Sequence, residues 1–145
     1  MTDDAGCFLD SNIWLYALSD EDDEKAKCAR ALVDALGSGI FVSPQVINEV
    51  CVNLKRKSSM NEVDVRTLIE SFFLDYVVIE LSKEVLLYAS NLRERHSFSF
   101  WDSLIASCAV SANAKILYSE DMQDGFVLDN KLKIINPFTN LTNYV

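Results

Sequence analysis

The sequence predicts an α/β protein whose parallel sheet is covered by helices on both faces. Short apolar runs of strand length recur along the chain, and they alternate with segments whose apolar residues recur every three or four positions. Serine caps stand at the starts of several of those segments.

Cys7-Phe8-Leu9 reads as a buried strand that delivers Asp10 to its carboxyl end, with Ser11 or Asn12 opening a helix. Residues 24–36 form an amphipathic pattern through Ala26, Ala29, Leu32, Val33 and Leu36, and Gly37 closes it. Ile40-Phe41-Val42 is the next strand. Ser43 then caps a helix with Pro44 at its first position, which carries Val46, Ile47, Val50, Cys51 and Leu54 and ends in Lys55-Arg56-Lys57. Residues 61 to about 75 form a helix with Val65, Leu68, Ile69 and Phe72 in register, residues 76–81 a strand, and Ser82 caps a helix to about residue 94. Ser99 opens another, with Phe100, Leu104, Ile105 and Cys108 facing inward. Residues 114–118 form a strand that ends at Ser119-Glu120-Asp121, and residues 132–135 a last one, followed by a polar tail from about Asn136. Nothing marks a linker, so residues 1–145 are expected to form a single domain.

At 145 residues, half of them apolar, the chain is long enough to bury a core. Acids at Asp3 and Asp4, with only a short apolar run behind them, do not suit an export signal or a membrane span. Cys7, Cys28, Cys51 and Cys108 are far apart and set in apolar patterns, which suits buried reduced thiols in a cytoplasmic protein and makes a zinc site a poor fit. With 13 basic against 22 acidic side chains, the chain does not hold nucleic acid mainly by a basic surface. An acidic site still admits nucleic acid where divalent cations reverse its sign. The run Asp20-Glu21-Asp22-Asp23-Glu24 reads as a solvated loop and first helical turn.

Four other acids fall where strands end and helices begin: Asp10, Glu49, Asp102 and Asp121. Each has an ordinary reading. Asp10 is a good helix cap, Asp102 sits three residues after Ser99 as in a capping box, Glu49 suits a solvated helix edge and Asp121 a turn. Together, at one edge of an open sheet, they would repel one another unless cations bind. Hard ions such as Mg2+ or Mn2+ take oxygen ligands and support phosphodiester hydrolysis by activated water. His96, the only histidine, lies in Arg93-Glu94-Arg95-His96 and reads as a solvated helix end, and no glycine-rich phosphate loop is present. Lys55, Arg56, Lys57, Arg93 and Arg95 are the clustered bases, suited to phosphate contact or to helix C-termini.

Leu9-Asp10-Ser11-Asn12-Ile13-Trp14-Leu15-Tyr16, Ser43-Pro44-Gln45-Val46-Ile47-Asn48-Glu49, Phe100-Trp101-Asp102-Ser103-Leu104-Ile105 and Tyr118-Ser119-Glu120-Asp121-Met122-Gln123-Asp124-Gly125 together resemble the PIN-domain family, most closely the VapC-type toxins of bacterial toxin–antitoxin pairs. The resemblance implies a Rossmann-like three-layer α/β/α sandwich and an Mg2+- or Mn2+-dependent endoribonuclease. It implies catalytic, metal-binding roles for Asp10, Glu49, Asp102 and Asp121, with Asn12 and Ser119 supporting the acids by hydrogen bonds and Glu120 a neighbour able to share the fourth role. It also implies a homodimer, an RNA substrate and a small cognate antitoxin that places a helix or a basic side chain near the acids, with the early helices carrying Trp14, Tyr16 and Leu18 as docking surface or as core. Two alternatives stand beside this reading. A haloacid-dehalogenase-like phosphatase also opens with strand and Asp, but wants a second Asp where Asn12 stands, and its late lysine finds only Lys115, in or beside a strand. A PIN-like module that binds RNA or protein without cutting is the non-enzymatic alternative. A receiver domain lacks its paired early acids.

Overall fold

The computed structural model describes residues 6–139 and 141. In chain order it contains β1 (Cys7–Leu9), α1 (Ser11–Leu18), α2 (Glu24–Leu36), β2 (Ile40–Val42), α3 (Pro44–Lys57), α4 (Glu62–Asp75), β3 (Val77–Val78), α5 (Lys83–Arg95), α6 (Phe100–Ser111), β4 (Ile116–Tyr118), β5 (Val127–Leu128) and β6 (Leu132–Ile135). The strands lie in the order β3-β2-β1-β4-β6-β5, and every pair is parallel except β5 with β6. Cys7 faces Ile40 on one side and Ile116 on the other, which puts the wholly buried β1 at the centre.

From β1 the chain steps outward to β2 and β3, then crosses back to lay β4 on the other side of β1. Right-handed crossovers place α1 to α4 on one face and α5 with α6 on the other. The packing agrees: α1 contacts α2 and α3, α3 contacts α4, and α5 contacts α6. The result is a three-layer α/β/α sandwich. Its core includes Phe8, Leu9, Ile13, Phe72, Leu92, Ile105 and Leu117, each no more than 2% exposed.

The helix starts follow local chemistry. Ser43, Ser82 and Ser99 accept from the N–H groups of Val46, Val85 and Asp102 at 3.3, 3.2 and 3.0 Å. Asn61 and Asp64 form a reciprocal capping box on α4. Gly37 ends α2 with φ of 56°, a conformation that favours glycine.

Several expectations need correction. The strand expected over 76–81 reduces to Val77–Val78, because β3 is an edge strand with pairing on one side only, and Val77 is 47% exposed. Strand β5 was not foreseen. It pairs antiparallel with β6 through a three-residue connection, residues 129–131, in which Asp129 and Asn130 have φ of 50° and 56° and Lys131 N–H donates to Leu128 C=O. Phe100 points outward at 77% exposure, and the Arg93 guanidinium covers its ring at 3.8 Å. The described part of the polar tail is not a solvated extension: Phe138 is buried and packs edge-on against Tyr16. The rest of that tail, like Asp3 and Asp4, lies outside the described residues. Cys7, Cys51 and Cys108 are buried free thiols, whereas Cys28 is only half-buried. Among the described residues, no helix is long and apolar enough to cross a membrane.

Candidate functional site

The sheet reverses its winding between β1 and β4, and in open α/β sheets the crevice beyond the strand ends at such a point is where ligands bind. Asp10 follows β1 directly, and its backbone N–H still donates to Tyr118 C=O at 3.0 Å. Its side chain caps α1 by accepting from Ser11 N–H at 2.7 Å, so the capping reading is correct as far as it goes. A cap is ordinarily solvated, however, and Asp10 is only 4% exposed.

Burial pushes the Asp10 carboxyl up to about 6. The Ser119 hydroxyl, donating at 2.9 Å, and the Ser11 N–H oppose the rise, while the charges of Asp102 and Glu49 add to it. Burial likewise raises Asp102; the Ser99 hydroxyl opposes this and the charge of Asp121 adds to it. Three repulsions (Asp10 with Glu49, Asp10 with Asp102, Asp102 with Asp121) therefore link all four acids into one electrostatic group. The ion pairs of the described residues leave these acids out: they join Lys25 to Glu120, Arg30 to Asp22, Lys55 to Glu62 and Arg95 to Asp129.

Within the group the contacts are of two kinds. Ser11 Oγ bridges Asp10 and Glu49, donating to Glu49 Oε1 and lying 3.4 Å from Asp10 Oδ1. Asp102 and Asp121 line a cleft of about 480 Å3, shared with His96, Phe98, Gln123 and Phe126, and Asn12 donates to Asp121 from α1. Among the described residues no three Asp, Glu, His or Cys donors are gathered tightly enough to chelate an ion. The donor chemistry nonetheless fits a hard cation. The group offers only carboxylate and hydroxyl oxygens, one carboxylate is buried without a counter-charge, and a bound cation offsets the burial and the lesser repulsion that raise Asp10 and Asp102.

Asn12 and Ser119 both donate to acids, the contacts that the resemblance implies. Ser11 was missed as the link between Asp10 and Glu49; its signal was a hydroxyl-bearing residue right after the strand-end acid. Glu120 turns away from the group, accepting from the Tyr16 hydroxyl at 2.9 Å and pairing with Lys25. His96 does take the C-terminal cap of α5, donating its N–H to Leu92 C=O, but its ring is not solvated: it packs edge-on against Phe98 and Phe126, with Nε2 enclosed and unpaired. Trp14 is core rather than docking surface, 2% exposed and edge-on to Phe72 and Tyr76 at 5.0 Å, while Tyr16 is half-buried and Leu18 exposed. Arg93 is spent on Ser103 and Phe100, and Arg95 on Asn91 and Asp129. Lys55, Arg56 and Lys57 stand exposed, with Lys55 paired to Glu62.

The account of Ser119 is testable. Ser119→Ala removes a hydrogen bond to the charged form, so Asp10 titrates higher by about one unit, given about 1.4 kcal/mol per unit. Carboxyl 13C shifts followed with pH check this. An unmoved midpoint contradicts the assigned bond.

Residues 7–124 match the family model of the PIN domain. No curated protein matches the sequence. Among solved structures, the chain is similar to a toxin–antitoxin complex from Klebsiella pneumoniae, with TM-score 0.69 and 17% identity over 91% of this chain and 98% of that one. It is also similar to a sarcin–ricin-loop-cleaving VapC toxin from Mycobacterium tuberculosis (TM-score 0.66, 17% identity, 80% and 90% covered). A third likeness is to a VapBC complex from Rickettsia felis bound to a DNA fragment from its promoter (TM-score 0.61, 23% identity, 90% and 98% covered). At these identities the likenesses are of fold. The family match spans most of the chain and all four acids, and it displaces the phosphatase alternative: the chain belongs to the PIN-domain family.

Proposed function

We propose that this chain is a divalent-metal-dependent endoribonuclease of the VapC type, the toxin of a toxin–antitoxin pair. The observation that carries the reading is Asp10: a carboxylate at the sheet's switch point, buried, without a counter-charge, and repelled by two further acids. A fold retains such a group most readily where a cation binds.

Asp10, Asp102, Asp121 and Glu49 are the proposed ligands and catalytic acids for Mg2+ or Mn2+. When bound, such an ion activates water for attack on a phosphodiester and offsets charge on the phosphate. Ser119 and Asn12 hold Asp10 and Asp121 in place, and Ser11 ties Glu49 to the group. Arg56 and Lys57 are the bases proposed to meet the RNA backbone.

The antitoxin is proposed as a small protein with a basic amphipathic segment. A groove of about 650 Å3 at the end of α1 supports this, with Leu15, Leu54 and Met60 on its floor and Asp20, Asp23 and Asp64 among its acids. Exposed apolar residues at the end of α4, Phe73 at 56% and Leu74 at 85%, support a homodimer. A cytoplasmic location accords with the free thiols and the RNA substrate.

The test is cleavage of total cellular RNA by purified, antitoxin-free protein with Mg2+ or Mn2+ and with EDTA. Discrete cleavage that EDTA abolishes supports the reading. A folded protein that cuts no RNA with either metal contradicts it and favours the non-catalytic binding module.

A further inference from the structure

The cleft that holds Asp102 and Asp121 has a second wall which the acids do not explain. His96, Phe98 and Phe126 stand edge to face there, with ring centroids 5.8, 5.5 and 6.2 Å apart. All three keep part of their surface uncovered, unlike the sealed rings of Phe8 and Phe72. Gln123 is exposed on the same lining, with an amide free to pair. One small cleft thus joins carboxylates to an aromatic wall that carries an unspent amide.

We propose that this cleft is a nucleobase subsite, seating one base of the RNA beside the phosphate held at the acids; the inference rests on the nuclease reading above. Charge decides which part of a nucleotide enters. Asp102 and Asp121 repel a phosphate that lacks a cation, and Arg95, the cleft's one arginine, is already bidentate to Asp129. The neutral, planar base is the part that the aromatic wall accepts, since every base has a face to stack and an edge to pair. The exposed Gln123 amide both donates and accepts, so the wall discriminates among bases as well as binding them. A cleft of about 480 Å3 has room for a single nucleotide and excludes a duplex. RNA is accordingly read as an unpaired loop or strand.

The experiment uses the chain's only histidine as its probe. The ring signals of His96 in the full, antitoxin-free protein are followed by NMR, without metal, during titration with each of the four nucleosides and separately with inorganic phosphate. The nucleosides are expected to shift the signals and phosphate to leave them in place. Phe126→Leu weakens the nucleoside response about tenfold, the size expected for one lost stacking partner, and raises KM for RNA more than it lowers kcat. Gln123→Ala, an exposed change that leaves the core untouched, alters the ranking of the nucleosides and the mapped cleavage positions, so the test stands even where Phe126→Leu does not fold. Signals that ignore all four nucleosides, or that move as much with phosphate, overturn the subsite. Metal-dependent cleavage without any nucleoside shift overturns it while sustaining the nuclease. Nucleoside shifts without cleavage in either metal sustain the subsite and overturn the nuclease.

Discussion

Asp10→Asn is expected to cost about a hundredfold or more in metal-dependent RNA cleavage while making the metal-free protein more stable. The two effects share one cause. In the folded chain the Asp10 carboxyl titrates at about 6 against an ordinary 3.8, chiefly through burial, so the folded state holds its proton more tightly than the unfolded state. The resulting stabilisation is fully present below pH 3.8 and is lost as pH rises through about 6. At neutral pH the ionised group therefore works against folding, by about 1–3 kcal/mol at the scale of 1.36 kcal/mol per unit. Asparagine keeps the shape and the cap without the charge, which raises Tm by several degrees at pH 7 and flattens the fall in stability between about pH 4 and 6. Asp129 sets the acid side. Its bonds from Arg95 and Tyr88 hold it down at about 2, so its contribution is present above 3.8 and is lost as pH falls toward 2. Thermal melts of both proteins across pH check the signs; a variant less stable than wild type at pH 7 contradicts the claim that Asp10 is an uncompensated charge.

Trp14→Ala is expected to destabilise the fold by about 3–5 kcal/mol, the range for truncating a large buried aromatic. The indole fills the space between α1 and α4, edge-on to Phe72 and Tyr76. Trp14→Phe costs much less, because two effects oppose each other. Some burial is lost, but the enclosed Nε1–H has no partner, and removing an orphaned donor returns about 1–3 kcal/mol. Urea unfolding of the two variants measures the difference. An alanine variant as stable as wild type shows that α1, and Asp10 at its start, is not anchored through this residue.

What the sequence makes legible here is local chemistry. An apolar triplet ending in Asp10, serine caps at positions 43, 82 and 99, and the stripe Val46, Ile47, Val50, Cys51 each specify their own structure through nearest-neighbour physics, and the structure repeats them. The four acids are legible as a group because strand ends and helix starts share one edge of a parallel sheet. What is not legible depends on partners distant in the chain. Phe100 has the spacing of a core residue, yet the Arg93 guanidinium from the preceding helix covers it in place. Glu120 is next to Asp121 in sequence but is held by Lys25 from α2 and the Tyr16 hydroxyl from α1. Val127-Leu128 is too short to announce a strand, and the paired left-handed Asp129 and Asn130 were the turn signal to read. His96 looks like a polar helix end because Phe98 and Phe126, which enclose it, come partly from thirty residues downstream.

The claim at the centre is that the carboxylates at the β1–β4 switch point form a cation site. Its most direct measurement is Mn2+ uptake by the purified, antitoxin-free chain, read as loss of the free-ion EPR signal, beside Asp10→Asn and Asp102→Asn. Wild-type protein is expected to remove Mn2+ from solution at neutral pH, to release it as pH falls below about 5 and the acids protonate, and to lose this uptake in both variants. Wild-type protein that leaves the Mn2+ signal intact at pH 7, or variants that bind as well as it does, contradicts the account.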